Sequence, residues 1–557
     1  MTQRHRLSAL ALGIVLLSPL TACSGSGSSD GQPSRGSSVA PSSTVVNASF
    51  VQGVTQTSLQ AATPRTVSAK VPQIATARNL SQAIEVVRER ALRGASWSSA
   101  SKITMTSSFI AASEDVVGVQ IDTTTTTKSA QSARTTLWYD ATLGQTFSSN
   151  VLISWPGWKS FRSLVGKAAA DAGLDRTKAL ASLQQAQAPY GSGPALSFTS
   201  NGGMAVVFPA GAVGTTQASV TLDRKAVEPL LSDFGAKAQG ASLHPSTFSG
   251  HPSTTRTWWT PAKDRPAPTS SPNLHPLPGD STAGKDAQTT ASASPSATAS
   301  EPGSSGNGAS STATTPSTTN TAVKAPTLAP DAHPSTAVGI DCVANQCIAL
   351  TYDDGPGQRT PELLKTFEAS KAAATFFELG TSIDERAETT KLVAASGFEI
   401  GNHSSTHPDL ATVSTATVKT EVGGNSARLA KITGRRPMLM RPPYGDHNSS
   451  VDAVIAANGM AVVNWIVDTQ DWQTKSASKT LSKILVDAGI YTGPIMLMHD
   501  IHDAAIDASA KAVPQLTAEG YQLVTVSELT VNTGGLQTGH GYCRGTALVQ
   551  DGYLCKG

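Results

Sequence analysis

The sequence predicts an α/β protein with a barrel of parallel strands in its C-terminal part, preceded by a smaller α+β domain and a long disordered linker. Short apolar runs alternate with helical stretches over residues 337–530, which is typical of a parallel sheet, and the number of units fits closure into a barrel. Residues 48–242 combine alternating, strand-like stretches with helical ones. Residues 243–336 are dominated by Ser, Thr, Pro, Ala and Gly, a composition that cannot bury a core.

Residues 1–23 have the features of a leader that ends in a lipid-attachment site. A short basic start precedes Leu7–Leu20, an apolar stretch too short to span a bilayer comfortably. The run Leu20-Thr21-Ala22-Cys23 resembles the lipobox of bacterial lipoproteins, which implies a diacylated Cys23 on the extracellular face of a membrane. An ordinary secretory signal, with Cys23 incidental, is the alternative. The Gly/Ser-rich residues 24–47 then predict a flexible tether.

The charge balance and the cysteines restrict the partners and the compartment. The 42 basic and 40 acidic side chains nearly cancel, which argues against a nucleic-acid binder and is compatible with a neutral sugar polymer. Assigning Cys23 to lipid leaves an even number of cysteines, which outside the cytoplasm favours disulfides, although three connectivities are open. We expect pairing of Cys342 with Cys347 and of Cys543 with Cys555, because each bridge closes a short loop at a domain margin. A structural zinc site is the alternative, but no Cys-x-x-Cys is present.

The secondary structure of both globular parts follows from periodicity. In residues 48–242 the predicted strands are Lys102–Phe109, Val116–Thr126 and Ala133–Tyr139, and the predicted helices are Leu80–Arg93, Phe161–Ala172 and Arg176–Ala186. In residues 337–530 the predicted strands are Cys347–Tyr352, Ala373–Leu379, Phe398–Asn402, Met438–Arg441, Ala461–Val467, Ile495–His499 and Gln522–Thr525. The helices predicted there are Pro361–Ser370, Ile383–Ser396, Thr415–Ile432, Ser450–Asn458 and Ala477–Ala488. Residues 531–557 are expected to form a tail that holds the second disulfide.

Polar motifs follow the predicted strands, at the end of a parallel barrel where enzymes place their chemistry. They are Thr351-Tyr352-Asp353-Asp354-Gly355-Pro356, His403-Ser404-Ser405-Thr406-His407, Arg441-Pro442-Pro443-Tyr444, Asp468-Thr469-Gln470-Asp471-Trp472 and Leu497-Met498-His499. His403 and His407 are four residues apart, so on a helical turn their side chains would face the same way. Asp354 can supply a third metal ligand. A fourth position of a tetrahedral metal then stays open for water.

These motifs, in this order, resemble those of NodB-type polysaccharide deacetylases, carbohydrate esterase family four. The resemblance covers residues 337–530 and implies a distorted (β/α) barrel with fewer than eight full units. It implies an extracellular, metal-dependent hydrolase that removes acetyl groups from N-acetylated amino sugars. Any one motif alone has a plainer explanation, because aspartates before Gly-Pro form turns and histidine pairs are common on surfaces. The complete ordered set favours the enzyme.

The resemblance also assigns a role to each site residue. Asp354, His403 and His407 would bind a divalent metal, with Zn²⁺ preferred over Co²⁺ or another ion. Asp353 would be the general base, paired with Arg441, and the backbone N–H of Tyr444 would hold the oxyanion. His499 would be the general acid, oriented by Asp471. The acetyl methyl group would lie between Trp472 and Leu497, although any barrel mouth needs such apolar packing.

The resemblance leaves several substrates and a second class of function open. Peptidoglycan is the leading substrate, with N-acetylglucosamine ahead of N-acetylmuramic acid, and chitin oligomers or acetylated xylan are alternatives. Residues 136–140 and 203–222 are similar to the extracellular domain of lysozyme-sensing RsiV-type anti-sigma factors. That similarity implies a lysozyme-like protein or a wall polymer as a partner of residues 48–242. A lipoprotein whose main role is binding is therefore the alternative to an enzyme.

Overall fold

The computed structural model describes residues 43–154, 156–183, 193–250, 340, 342, 345–530 and 535–545. The predicted leader with Cys23, most of the predicted tether and linker, and Cys555 lie outside the described residues. The chain is a mixed α/β protein, as the sequence predicts. Within the described residues, no helix combines the length and the apolar character needed to cross a bilayer.

The N-terminal part is built on a six-stranded sheet with the order β1-β2-β3-β4-β5-β6. Its strands are β1 (Val54–Ala61), β2 (Thr66–Ile74), β3 (Lys102–Ala112), β4 (Val116–Thr126), β5 (Ala130–Asp140) and β6 (Gln145–Phe147). All neighbours are antiparallel except β2 and β3, which are parallel. A parallel pair needs a long crossover, and helix α1 (Arg78–Trp97) provides it.

A second layer packs against this six-stranded sheet. It contains helices α2 (Trp158–Asp171) and α3 (Arg176–Ser182), the antiparallel strands β7 (Ala195–Phe198), β8 (Met204–Phe208) and β9 (Ala218–Leu222), and helices α4 (Arg224–Val227) and α5 (Asp233–Leu243). Their shared core includes the fully buried Trp138, whose ring meets Phe198 edge-on with centroids 6.0 Å apart. The apolar face of each layer is therefore covered by the other.

The domain boundaries differ from the predicted ones at both ends of this part. Ser43 and Val46, which we assigned to the tether, are buried, and the backbone N–H of Val46 donates to the carbonyl of Phe109 at 2.8 Å. Phe248, which we assigned to the linker, is fully buried, and its ring lies 6.0 Å from that of Tyr139. Composition misplaced these ends because a few apolar side chains anchor segments that are otherwise polar.

The C-terminal part is a curled parallel sheet that forms a half-barrel. Its strands are β10 (Cys347–Asp353), β11 (Thr375–Glu378), β12 (Glu399–Asn402), β13 (Leu439–Met440), β14 (Ala461–Val463), β15 (Val467–Asp468), β16 (Ile495–His499), β17 (Gln522–Leu523) and β18 (Gly541–Tyr542). The order is β15-β16-β10-β11-β12-β13-β14-β18, with β17 also paired to β10. In the part of the chain that the structure describes, no ladder joins the edge strands β15 and β18, so the expected barrel is open.

Helices cover this sheet and connect its strands. They are α6 (Thr360–Ala369), α7 (Gly380–Glu385), α8 (Ala387–Ala395), α9 (Thr415–Thr433), α10 (Ser449–Ala457), α11 (Asp471–Thr474), α12 (Ala477–Ala488), α13 (Asp503–Ala518) and α14 (Val526–Thr530). The predicted helix Ile383–Ser396 is two helices that meet at Arg386. The predicted strand Ala461–Val467 is also two elements, because β14 pairs with β13 whereas β15 pairs with β16.

The predicted tail takes part in the sheet instead of following it. Strand β18 lies parallel to β14, and Leu536 is buried. Cys543, next to β18, is disulfide-bonded, and Cys342 and Cys347 form a disulfide. An isolated antiparallel β-bridge joins Arg544, after β18, to Pro494, just before β16.

Parallel register brings distant motifs to the same edge of the sheet. Asp353 at the end of β10 is paired with His499 at the end of β16, and with Phe377 of β11 on the other side. Tyr352 points the opposite way and packs its ring on Phe376, with centroids 5.3 Å apart. Alternation along β10 therefore directs one residue into the core and the next into the site.

A buried ion-pair group joins the two parts of the chain. Glu528 of α14 accepts from Arg90 of α1 at 2.6 Å and also from Arg93 of the same helix. Burial would raise the pKa of Glu528, but the two guanidinium groups outweigh it and lower that pKa. The carboxylate is therefore ionised and fully paired in the folded chain.

We expect Glu528→Ala to lower the free energy of unfolding by about 3–5 kcal/mol, because it leaves buried guanidinium groups without their carboxylate. Urea denaturation measures this loss. Glu362→Ala is the matched control, since Glu362 pairs with Arg359 on the exposed side of α6 and should contribute little. A Glu528→Ala loss no larger than that of the control would contradict the assignment.

Candidate active site

The site lies at the carboxyl ends of the central strands. Asp353 ends β10, His499 ends β16, and Arg441 directly follows β13. The histidine motif directly follows β12. The structure thus brings together the predicted residues of different motifs, which are far apart in sequence.

Asp354, His403 and His407 form a candidate metal centre. One potential ligand atom from each lies within 4.8 Å of the others. The Nε2 atoms of His403 and His407 are 3.4 and 3.5 Å from Oδ1 of Asp354. That oxygen is buried and, among the described residues, has no hydrogen-bond partner. A buried, unpaired carboxylate oxygen facing imidazole nitrogens fits a divalent cation, and two His with one carboxylate is a common zinc ligand set.

The two histidines come together in a loop, which corrects the predicted helical turn. Ser404 and His407 have positive φ angles of 70° and 63°, and no helix includes them. The carboxylate of Glu421, on α9, accepts from the backbone N–H groups of Ser405 and Thr406 at 2.9 and 2.8 Å. It also accepts from the Thr406 hydroxyl at 2.8 Å. One buried carboxylate therefore fixes the strained loop.

Asn402 supports the start of the same loop. Its Oδ1 accepts from the backbone N–H of Ser404 at 2.7 Å and from Nδ2 of Asn425 at 3.0 Å. Its Nδ2 donates to the Val422 carbonyl and the Ser426 hydroxyl, both at 2.9 Å. All of these hydrogen bonds are buried, so the backbone that leads to His403 has a fixed course.

His403 is held in the form that binds metals. Its Nδ1 lies 2.7 Å from the carbonyl oxygen of Arg441, which makes Nδ1 the donor and leaves Nε2 as the acceptor facing Asp354. Burial lowers the pKa of His403 to about 3, although the charge of Asp354 opposes this. The ring is therefore neutral at physiological pH, as a metal ligand must be.

Asp353 is paired with Arg441 and keeps one oxygen directed at the metal centre. Nη1 of Arg441 donates to Oδ1 of Asp353 at 2.6 Å. Oδ2 of Asp353 is 3.8 Å from Nε2 of His403. Burial raises the pKa of Asp353, and Arg441 opposes that rise without cancelling it. Asp353 is thus a carboxylate of increased basicity beside the candidate ligands.

Arg441 is itself held on every side. It is fully buried and donates to the Thr351 hydroxyl at 2.8 Å and to the carbonyls of Val463 and Asn464 at 2.9 and 3.2 Å. Its guanidinium carbon lies 4.2 Å from the centre of the Phe377 ring. These contacts leave the guanidinium one orientation, in which it faces Asp353.

His499 and Asp471 form the second predicted pair. Nδ1 of His499 lies 3.2 Å from Oδ1 of Asp471, and the backbone N–H of His499 donates to Oδ2 at 3.0 Å. Burial alone would lower the pKa of His499, but the hydrogen bond and charge of Asp471, aided by Asp353 and Asp354, raise it to about 9. The imidazole is therefore protonated at neutral pH and can donate a proton.

The remaining predicted residues lie next to the site residues, either in space or along the chain. Tyr444 is 63% exposed with a φ of 61°, and its ring contacts that of His407 at 4.7 Å between centroids. Trp472, the second residue of α11, is 46% exposed. Leu497 is buried and lies two residues before His499 on β16, so both point to the same face of the sheet.

Sequence reasoning missed another carboxylate that shapes the aspartate loop. Asp500 is buried and accepts from the Thr360 hydroxyl and from the backbone N–H of Gly357. Its carboxylate occupies the space beside Gly355, where an added Cβ would lie 2.2 Å from Oδ1. Burial raises the pKa of Asp500 to about 6. Its position next to His499 was a signal in the sequence, whereas Glu421 and Asn402 offered none.

Known proteins resemble the segment that carries this site. The polysaccharide deacetylase family matches residues 341–463. The peptidoglycan-N-acetylglucosamine deacetylase PgdA of Listeria monocytogenes is 38% identical over 186 residues, which are 33% of this chain and 39% of that protein. The peptidoglycan-N-acetylmuramic acid deacetylase PdaC of Bacillus subtilis is also 38% identical, over 33% of this chain and 38% of that protein.

A chitooligosaccharide deacetylase of Bradyrhizobium is 31% identical over 205 residues, which are 34% of this chain and 93% of that protein. The alignments with the Listeria and Bacillus proteins span about two fifths of those proteins. Residues 341–463, which the family matches, contain the strands that carry the candidate metal centre. The chain therefore belongs to the polysaccharide deacetylase family.

Proposed function

We propose that this protein is a metal-dependent N-deacetylase that hydrolyses the acetamide of N-acetylated amino sugars in peptidoglycan and releases acetate. N-acetylglucosamine is the preferred sugar, ahead of N-acetylmuramic acid. The observation that carries the proposal is Asp353, held by Arg441 with its second oxygen directed at the group of Asp354, His403 and His407. The two relatives named for peptidoglycan deacetylation support the substrate class.

Asp354, His403 and His407 would hold the metal ion, with Zn²⁺ favoured by the mixture of imidazole and carboxylate ligands. The bound cation would supply Lewis acidity toward the acetyl carbonyl and would lower the pKa of a water molecule. Iron is less favoured, because the aspartate, arginine and tryptophan motifs around the ligands match the deacetylase family.

The other residues handle protons and orientation. Asp353 accepts the proton of the attacking water through Oδ2, since Oδ1 is bonded to Arg441. His499 then donates its proton to the sugar nitrogen as the bond to the acetyl carbon breaks, and Asp471 keeps the imidazole oriented. The backbone N–H of Tyr444 would donate to the carbonyl oxygen as negative charge develops on it. Trp472 and Leu497 would enclose the acetyl methyl group.

We also propose that the protein acts at the cell surface. Cys23 would carry a lipid on the extracellular face of the membrane, and residues 251–336 would form the linker within the wall. The N-terminal part would be an RsiV-like domain that contacts a wall polymer or a lysozyme-like protein. The neutral charge balance of the whole chain supports a neutral glycan as the main partner.

We expect the full chain to release acetate from N-acetylglucosamine oligomers or peptidoglycan, to lose this activity with a chelator and to regain it with zinc. Asp353→Asn should lower kcat by at least roughly 100-fold while zinc binding stays near that of the wild type, because Asp353 is a base and not a ligand. Asp354→Asn should lose zinc affinity. Asp384→Asn, which changes an exposed aspartate paired with Arg428, is the matched control.

Full activity in Asp353→Asn would refute the base assignment. A preference for chitin oligomers in the same assay would replace peptidoglycan as the substrate. A preference for acetylated xylan would make the reaction an ester hydrolysis at the same site. Inactivity toward every acetylated glycan would favour the binding alternative.

The alkaline limb of the pH profile should belong to His499. Because the acid must be protonated and its pKa is raised to about 9, kcat/KM should fall as the pH rises through that value. Asp471→Asn removes the charge that raises this pKa, so the limb should move to lower pH by about one to three units. Asp452→Asn breaks a comparable Asp–His pair, with His447, and should leave the limb unmoved. An unchanged limb in Asp471→Asn would contradict the acid assignment.

The binding role of the N-terminal part can be separated from turnover. The inactive Asp353→Asn chain should be retained by immobilised lysozyme, or should sediment with insoluble peptidoglycan even when an excess of N-acetylglucosamine oligomers occupies the deacetylase site. Failure with both would remove the support for a wall-binding or lysozyme-binding domain, and the deacetylase assignment would be unaffected.

A further inference from the structure

Helix α1 of the N-terminal part is buried along most of its length, including all of its charged residues except the half-buried Arg78. Besides the pairs with Glu528, its Glu85 and Glu89 form ion pairs with Arg435, ahead of β13, at 2.7 and 3.1 Å. Arg90, Arg93 and Glu89 therefore have partners in the other part of the chain, whereas Glu85 is shared between Arg435 and Arg88 of its own helix. Buried ion pairs therefore hold the N-terminal part and the deacetylase segment together.

Glycines of the deacetylase segment lie where its backbone meets that of the N-terminal part. A Cβ at Gly397 would lie 2.3 Å from the carbonyl oxygen of Glu89, and one at Gly434 would lie 1.9 Å from that of Ser58. The backbone N–H of Ser58 donates to the carbonyl of Gly434 at 3.4 Å. A side chain at either position would force the two parts of the chain to separate.

Arg78, the first residue of α1, contacts three backbone carbonyls of the C-terminal part. Its guanidinium donates to the carbonyls of Met438 and Gly459 at 2.8 and 3.2 Å, and also to that of Leu536. Met438 directly precedes β13, and Gly459 lies two residues before β14. One side chain thus joins the starts of two adjacent strands and the segment leading to β18.

The carboxyl ends of β13 and β14 hold Arg441, which pairs with the proposed base Asp353. Strand β13 leads directly into Arg441, whose backbone N–H donates to the carbonyl of Asn402 at 3.0 Å. Strand β14 ends at Val463, and the carbonyls of Val463 and Asn464 accept from the Arg441 guanidinium. Both strands are only two or three residues long, so their own ladders fix them weakly.

The local sequence of α1 does not explain Arg78. A cation in the first turn opposes the helix dipole, and Ala77 at the N-cap provides no side-chain hydrogen bond. Arg78 therefore destabilises the first turn of α1. Its hydrogen bonds to the carbonyls of Met438, Gly459 and Leu536 offset that cost.

We propose that Arg78 is a positioning residue of the deacetylase reaction that acts across the domain boundary. It fixes the starts of β13 and β14, these strands fix Arg441, and Arg441 fixes Asp353. The inference rests on the proposed role of Asp353 as the base. It makes the N-terminal part a component of the catalytic unit, in addition to any partner that this part binds.

The test compares the full-length wild type with Arg78→Ala, Arg78→Lys and the control Arg134→Ala. Arg134 pairs with Asp122 within the N-terminal sheet, far along the chain from the deacetylase segment. Hydrogen exchange of peptides covering residues 438–464 reports on the strands, and steady-state kinetics reports on the base. Peptides from β10 serve as the internal reference.

Arg78→Ala should increase exchange in residues 438–464 and lower kcat by roughly 10- to 100-fold with little change in KM, because geometry is lost while substrate contacts remain. Arg78→Lys should show slower exchange and a higher kcat than Arg78→Ala, since an ammonium group can donate to the same carbonyls. Arg134→Ala should change neither.

Unchanged exchange in Arg78→Ala would overturn the proposal. Increased exchange with wild-type kcat would overturn the link from the strands to Arg441. If the wild type itself had no deacetylase activity, the proposed function would fail, and the exchange result would still decide whether Arg78 anchors the strands.

Discussion

The ion pair between Asp353 and Arg441 is the interaction on which the rest of this site depends. Both groups are buried, so neither charge is tolerable without the other, and the hydrogen bonds of Arg441 to two backbone carbonyls and a threonine hydroxyl leave the pair one geometry. That geometry occupies one oxygen of Asp353 and directs the other toward the candidate metal ligands. Burial raises the pKa of Asp353, and Arg441 opposes that rise.

The fold supplies this geometry through parallel register and through supports outside the motifs. Neighbouring strands end at one edge, which places Asp353 beside His499 and brings the histidine loop after β12 within reach of Asp354. The loop itself is strained, and Glu421 offsets that strain with hydrogen bonds from α9. Strands β13 and β14 are only two and three residues long, so each forms short ladders with its neighbours. Arg78 of the N-terminal part adds hydrogen bonds at the starts of both strands.

The sequence predicted the features that depend on local pattern and motif order. Strand β16 and helix α12 have the predicted bounds, and the residues chosen for the metal centre lie together. The helical turn assigned to His403 and His407 was wrong, because a spacing of four residues is shared by helices and by loops with positive φ. Glu421 and Arg78 could not be found, since each acts through contacts with residues distant in the sequence. Composition also placed Phe248 in the linker, because one buried ring hardly changes the average of a polar segment.

The most direct test of the account is anomalous diffraction at the zinc edge from crystals of the protein loaded with zinc. We expect one strong peak bounded by a carboxylate oxygen of Asp354 and the Nε2 atoms of His403 and His407. Asp353 should remain bonded to Arg441 and lie outside the ligand set. A peak elsewhere, or one in which Asp353 is a ligand and has left Arg441, would contradict the account.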